Sequence, residues 1–342
     1  MLREVLGQVT AAQANFYRVA TSAYGELLCT SRARLKKTGQ WVLVGDQVLV
    51  EEIDPASKRG AIGEIIPRRN QLDQPPIANV DQLLLMLALA EPALEIQHLS
   101  RFLVKAESTK LPFILALNKA DLCERQTIDD WQEKLHAWGY QPIIISTTTG
   151  QNLSELKAHL AHKITVITGS SGVGKSSLIN RLIPGAHLAT GSVAQRTGRG
   201  RHTTRHIQLL PLDTGGMIAD TPGFNQPNLE MKPTELAQCF PEIYRQNAAC
   251  EFADCTHQDE PGCNIDKHWE RYEHYVQWWQ ELQELAILKQ MQGRCDVGVK
   301  YKQDGMGQRR SEPKLARHKY RSLSRRRQHQ ELDLLTADDE SI

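Results

Sequence analysis

Long hydrophobic runs are missing from this 342-residue chain. No apolar stretch approaches the roughly 18 residues that a membrane-crossing helix needs, so no helical span is expected. The N-terminal MLREVLGQVT lacks a basic region followed by an apolar one, so no secretory signal is read and the cytosol is the expected location. A disulfide framework is not expected either. The cysteines number seven, an odd count, in a chain without a visible signal. Overall charge is nearly absent, at +1. That near-neutral total hides a strong asymmetry. Residues 309–327, RRSEPKLARHKYRSLSRRR, carry nine Lys/Arg and one Glu, and the last dozen residues, ELDLLTADDESI, turn acidic. The length allows two or three domains with room for at least one sizeable core. No internal repeat is visible.

The texture of the chain changes along its length. Residues 1–73 hold short strand-like runs such as WVLVGDQVLVEEI separated by turn signals, with no long helical pattern. That spacing predicts a small barrel. A five-stranded OB-like barrel fits the length, and an SH3-like barrel has the same signature. QLDQPPIAN, with its Pro pair, reads as the linker out. Over 77–228, buried strands such as DQLLLMLALA, LPFILALN, QPIIIST and KITVITG alternate with amphipathic helical segments, which predicts βαβ units and a parallel sheet. Over 229–295, PTELAQCFPEIYRQNAACEF reads as helical, a Cys/His cluster follows, and HWERYEHYVQWWQELQELAILKQMQ reads as a helix of six or more turns. Its Trp278–Trp279 pair is expected to pack in a core. Residues 296–342 read as a basic and then acidic tail.

GSSGVGKSS, 169–177, follows the strand KITVIT and opens the helix KSSLINRLI. That is the strand–loop–helix setting in which G-x-x-x-x-G-K-[ST] binds phosphate. The amides of Gly169, Ser170, Ser171, Gly172, Val173, Gly174, Lys175, Ser176 and Ser177 are the candidate phosphate contacts. Lys175 would reach the β- and γ-phosphates, and the Ser176 hydroxyl suits Mg²⁺, a hard cation that prefers oxygen. DTPG, 220–223, ends a strand about fifty residues later. Asp220 is the expected carboxylate on the Mg²⁺ side, and the Gly223 amide the expected γ-phosphate donor. Between the two motifs lies GRGRHTTRH, 198–206, placed to act as a loop that orders on Mg²⁺ and γ-phosphate. Thr203 or Thr204 would supply its Mg²⁺ hydroxyl, with Thr204 favoured.

NKAD, 118–121, ends the strand LPFILAL and precedes the phosphate loop by about fifty residues. An Asp carboxylate can accept from guanine N1–H and from its exocyclic amine. Adenine lacks that donor pair and would leave the carboxylate unsatisfied. Asp121 therefore reads guanine. Asn118 would fix the loop, and the Lys119 stem would pack on the base. Ser146 and Thr147 open STTTGQNL after the next strand, where a backbone amide would meet guanine O6. The order of base reader, base loop, phosphate loop, ordering loop and DTPG is a circular permutation of the usual one. Permutation moves connections and chain ends without changing a sheet.

Phe224 stands where many guanine-nucleotide hydrolases place a water-orienting Gln, and a phenyl ring cannot take that role. His202, beside the two threonines, is the internal candidate. It could equally be a solvated loop residue. CEFADCTHQDEPGC supplies Cys250, Cys255, His257 and Cys263 with C-x4-C-x-H-x5-C spacing. Three thiolates and an imidazole suit one closed, structural Zn²⁺ site. Cys29, Cys123, Cys239 and Cys295 show no such grouping and are read as ordinary reduced cysteines. In the basic tail, clustered Lys/Arg with Tyr320 suits phosphate-backbone binding, and a solvated tail is the plain alternative.

ANVDQ at 78–82, NKAD, GSSGVGKSS, GRHTT, DTPGF and CEFADCTHQDEPGC occur in that order. This combination resembles the RsgA (YjeQ) family of circularly permuted GTPases that depend on the small ribosomal subunit. The likeness extends over roughly residues 1–292. It implies an N-terminal OB fold, a permuted GTPase domain and a mainly helical zinc domain. It also implies GTP hydrolysis stimulated by the 30S subunit, a part in late subunit maturation, rRNA contact through the flanking domains, and a catalytic role for His202. A monomer without membrane contact is expected. Two positions depart from the family's usual residues: Thr147, where Ala is common, and Ser170, where Asn is common. The rival expectations are an RNA-binding module that only senses GTP, and an NTPase acting on tRNA or another RNA.

Overall fold

The alternating N-terminal segments form strands in the computed structural model, which describes residues 4–186, 207–220, 228–246, 250–252, 254–258, 260–295, 299–303 and 309–313. Strands β1 (Glu4–Gln13), β2 (Phe16–Thr21), β3 (Gly25–Ser31), β4 (Gln47–Asp54) and β5 (Arg59–Ile65) close into a barrel, with a short helix α1 (Ala33–Lys37) between β3 and β4. Their order is β1-β2-β3-β5-β4, and β4 returns to pair with β1. β3 and β5 run parallel, so the chain crosses over rather than meandering. Of the two expected barrel types, this five-stranded closure is the OB one. The alternation has its usual cause: Val9, Val19, Leu27, Val48, Val50 and Ile62 point inward and are fully buried.

The stretch expected as a plain linker is a small hairpin, β6 (Gln71–Asp73) with β7 (Pro76–Ala78), turning through Gln74 and Pro75. Its second strand is tied back to the barrel, since Ala78 N donates to Val44 O at 2.9 Å and Asn79 Nδ2 to Gly45 O at 2.9 Å.

The predicted βαβ units follow: β8 (Gln82–Ala88), α2 (Ile96–Glu107), β9 (Phe113–Asn118), α3 (Arg125–Trp138), β10 (Ile143–Ile144), α4 (Leu153–Leu160), β11 (Ile164–Thr168) and α5 (Lys175–Leu182). β12 (Gln208–Pro211) and β13 (Met217–Asp220) complete the sheet, joined by the Asp213–Gly216 turn. The sheet order is β10-β9-β8-β11-β13-β12, parallel except for β12. Every residue of β8 is buried, as a strand covered on both faces must be. Leu83, Leu85 and Leu87 face the core with Leu99, Phe102 and Leu135 of α2 and α3. Leu84, Met86 and Ala88 face the other core with Leu156, Leu178 and Ile179 of α4 and α5. β12 also pairs with β1 at Ala11 and Gln208, so barrel and parallel sheet form one continuous eleven-stranded sheet.

Among the described residues, no strand after Asp220 joins this sheet. The segment read as helical is a 3₁₀ helix, Pro233–Cys239, followed by one turn, α6 (Pro241–Tyr244). Pro241 has no N–H to continue a helical ladder, so the chain restarts there. The long helix α7 (Tyr272–Cys295) has 24 residues and begins four residues later than HWERY implied. Trp278 is fully buried, stacked against Phe240 at 6.0 Å, so its expected packing role holds. Residues expected as tail contain a hairpin, β14 (Val299–Gln303) with β15 (Arg309–Pro313). β15, RRSEP, is polar throughout and carries no apolar alternation, so it does not mark itself as the partner of β14. Residues 1–279 and 280–342 form separate compact units. Among the described residues no helix is long and apolar enough to cross a membrane.

Candidate functional site

The connections on β8 and β11 leave in opposite directions, which opens a crevice at the strands' carboxyl ends, where ligands of parallel sheets bind. Asn118 ends β9 and pairs with Ala88 of β8, while Thr168 of β11 pairs with Leu85 of β8. The base-reading motif and the phosphate loop therefore meet at one rim although one precedes the other in the chain.

Two glycines of the loop are dictated by their surroundings. Gly169 has φ +140°, and a Cβ there would lie 1.9 Å from Met86 O on β8. Gly174 has φ +100°, and its Cβ would lie 2.5 Å from Asn118 Nδ2. Any side chain at either place would push the loop off the sheet edge. Lys175 opens α5 and curls over its own loop, donating to Gly169 O at 2.8 Å and Ser170 O at 2.6 Å. Ser176 and Ser177 follow it in the first turn and are half-buried.

Asn118 is the joint between the two motifs. Its buried amide donates to Val173 O in the phosphate loop at 2.8 Å and to Thr147 Oγ1 at 3.3 Å, and its Oδ1 accepts from Thr147 N at 3.0 Å. Ser146 Oγ donates to Asp121 Oδ1 at 2.5 Å and accepts from Thr149 N at 3.0 Å, which aims the carboxylate from behind. The amides of Ser146 and Thr147 are both engaged, with Gln151 O and Asn118 Oδ1. Lys119 adopts φ +64° and its ammonium donates to Glu91 O, so its stem lies along the rim. A rigid carboxylate beside an anion-binding loop can hold a base and a polyphosphate together.

Asp220 is the last residue of β13, opposite Gln208, at the same end of the sheet. His202, Thr203, Thr204, Gly223 and Phe224 lie outside the described residues.

The ligand atoms of Cys250, Cys255, His257 and Cys263 all fall within 4.8 Å of one another. His257 Nδ1 is 3.6 Å from Cys250 Sγ and 3.9 Å from Cys263 Sγ. Those separations are close to the edges of a tetrahedron built from zinc–thiolate and zinc–imidazole bonds, roughly 3.5 to 3.8 Å. Burial pushes the Cys255 thiol up to about 12, with Cys263 and Cys250 adding to the rise. Three thiolates this close together would need a cation between them. Burial also lowers the pKa of His257, which favours the neutral ring that ligates. The cluster could hold a zinc ion.

Three residues around these sites carried no sequence signal. Glu260 accepts from Thr256 N at 2.9 Å, Gln258 N at 3.0 Å and the Thr256 hydroxyl, and so shapes the ligand loop around His257. Arg271 is completely buried. It donates to both oxygens of Glu242, at 2.8 and 2.5 Å, and its guanidinium lies 4.7 Å from the Trp138 ring and 4.9 Å from the Phe240 ring. His98 of α2 lies 2.8 Å from Ser170 of the phosphate loop. Arg271 and His98 act across chain-distant partners, which spacing alone does not show, whereas Glu260 binds within its own loop. Cys29, Cys123 and Cys239 are free, as read.

The family model described as RsgA GTPase matches residues 65–230. The small ribosomal subunit biogenesis GTPase RsgA 1 of Nostoc sp. is 47% identical over 363 aligned positions, covering 98% of this chain and 98% of its own. That coverage corrects the expectation that likeness stops near residue 292. The alignment with this relative runs over the tail region as well. The crystal structure of YjeQ from Thermotoga maritima is 32% identical, with a TM-score of 0.70 over 82% of this chain and 99% of that one. YloQ, described as a circularly permuted GTPase, is 31% identical, with a TM-score of 0.69 over 83% of this chain and 96% of its own. With its permuted motif order, its barrel and its Cys/His cluster, this chain belongs to the RsgA GTPase family.

Proposed function

We propose that this protein binds and hydrolyses GTP and assists late maturation of the small ribosomal subunit, which stimulates its turnover. The observation that carries the reading is Asn118, which ties the guanine-reading rim to Val173 of the phosphate loop across the permuted chain. The relatives' names point the same way. They favour a hydrolysing factor over a module that merely senses GTP.

In this reading Asp121 accepts from the guanine edge while Ser146 holds its carboxylate in place. Lys175 and the amides of 169–177 neutralise and orient the polyphosphate. The hydroxyls of Ser176 and Thr204 and the carboxylate of Asp220 are hard oxygen donors of the kind Mg²⁺ takes, and that ion would offset charge on the β- and γ-phosphates. The Gly223 amide donates to the γ-phosphate. His202 orients the attacking water, because Phe224 cannot. Cys250, Cys255, His257 and Cys263 hold one structural Zn²⁺. The OB barrel (1–73), the GTPase domain (77–228), the zinc domain (229–295) and the basic-to-acidic tail (296–342) divide the work, the flanking parts contacting rRNA. The protein acts as a cytosolic monomer.

Turnover of GTP measured with and without purified 30S subunits tests the whole reading. Stimulation is expected, and its absence would sink the ribosomal part. Lys175→Ala should abolish nucleotide binding. His202→Ala should spare binding and lower stimulated turnover, and unchanged turnover would remove His202 from the mechanism.

A further inference from the structure

Helix α2 makes a contact with the phosphate loop that none of the nucleotide motifs requires. His98 Nε2 lies 2.8 Å from Ser170 Oγ. The imidazole is not free to wander, because it packs against Phe102 one turn later, with ring centroids 5.0 Å apart, and Phe102 is itself buried. Ser170 is also one of the two residues whose carbonyls Lys175 engages. A single residue of the loop is therefore held from both sides, by α2 and by the phosphate-binding lysine. The adjoining cavity, lined by Leu94, Glu95, His98, Ser170 and Val173 among others, measures about 150 Å³. Ligand pockets run to roughly 300 Å³ and more, so this gap reads as a seam between helix and loop rather than as a second ligand site.

The same two turns of α2 are gripped on another side by the C-terminal segment. Gln97 Nε2 donates to Gln277 Oε1 at 3.1 Å, and Arg271 Nη1 donates to Ser100 Oγ at 3.5 Å. The Arg101 guanidinium stands 5.5 Å from the centre of the Trp278 ring. Residues 97, 100 and 101 thus face the zinc-bearing segment while residue 98 faces the phosphate loop.

We propose that His98 is a positioning residue of the phosphate loop, and that α2 transmits to that loop the hold of the C-terminal segment. The proposal rests on the nucleotide-binding reading above. His98 does not touch the reacting atoms in this arrangement. It restrains Ser170, so that the loop's amides need less ordering when polyphosphate arrives. Loss of such a restraint weakens ground state and transition state alike, which raises KM and leaves kcat nearly unchanged.

The test uses the full-length protein and a fluorescent GTP analogue, with turnover measured in parallel. His98→Ala is expected to raise Kd and KM by about 2- to 10-fold, the worth of one hydrogen bond, with a smaller change in kcat. Ser170→Ala should raise Kd similarly, and the double variant should be no worse than either single one. His98→Gln, whose amide can still bond the hydroxyl, should recover much of the loss. Arg101→Ala should raise Kd in the otherwise unchanged protein and add little in the His98→Ala background. Unchanged affinity in His98→Ala, or strictly additive effects of His98→Ala and Ser170→Ala, overturns the proposal. If the unmodified protein binds GTP normally, such a result removes only this proposal. If the unmodified protein binds no GTP, both the proposal and the functional reading fall.

Discussion

Asp121 shows how little of a binding site is its own residue's doing. The carboxylate is exposed on the rim, and its aim comes from the Ser146 hydroxyl behind it. Ser146 is buried and is itself oriented by the turn that follows, through Thr149 N. The motif NKAD identifies the acceptor, while the stiffness that makes it selective comes from a strand and a loop 25 residues further on. In the proposed role, Asp121→Ala would remove two charge-assisted hydrogen bonds to guanine, each worth about 1.5–3 kcal/mol. It should lower GTP affinity by about 100-fold or more, with the melting temperature little changed. Equilibrium titration with GTP, set beside a thermal melt, checks both halves. His98 and Arg271, found only in the structure, are single polar side chains with ordinary local sequence, and each gains its role from a partner supplied by folding.

At the scale of elements, the ligand loop at 250–263 is the part whose order depends most on something besides packing. Tyr275 Oη donates to Thr256 O at 2.6 Å and Tyr272 Oη to His257 O at 3.0 Å, so α7 holds the loop by its backbone. The buried imidazole of His257 and the half-buried one of His274 resist protonation, and desolvation is the main cause in both. Their folded pKa values lie below the unfolded value of 6.5, so the folded state binds fewer protons once pH drops below it. Stability from these groups is full above about 6.5 and is lost as pH falls toward the lower folded values. Chelation and mild acid should therefore both loosen this segment. Protection factors of residues 250–279, corrected for the intrinsic rate at each pH, should fall as pH drops below about 6.5, and on adding a strong zinc chelator at neutral pH, while β8 and β11 stay protected. Equal protection with and without chelator would exclude a structural metal.

Across the whole molecule, two buried ion pairs hold joints that no motif marks. Asp46, fully buried in the barrel, accepts from Arg68 Nε at 2.7 Å and from Leu43 N at 2.7 Å, next to the hairpin that leads into the parallel sheet. Arg271 joins the C-terminal segment to α2 through Ser100 and to Trp138 of α3, with Glu242 balancing its charge. Arg271→Leu leaves Glu242 charged and without its partner in a nearly closed site. It should cost about 3–5 kcal/mol of stability, read as a lower urea midpoint. The Arg271→Leu, Glu242→Leu double variant should recover part of that loss, because the orphaned carboxylate is gone.

The division between sequence and structure follows from the range of the forces involved. Local pattern alone marked the candidate phosphate loop, the candidate guanine reader, the four residues that could ligate a metal and the βαβ texture, because each depends on neighbours within a turn or a strand. Glycines where side chains cannot fit, and alternation that buries one face, are legible without a fold. The sequence left the barrel type open, did not show the break between Cys239 and Pro241 and saw only a tail where β14 and β15 pair. Tertiary structure decided those points, because strand partners, the start of a helix against its neighbours and the pairing of charged strands are set by contacts between distant segments. It also decided that NKAD and GSSGVGKSS form one site: β8 stands between β9 and β11, so chain order gives way to sheet order at the rim where the nucleotide would bind.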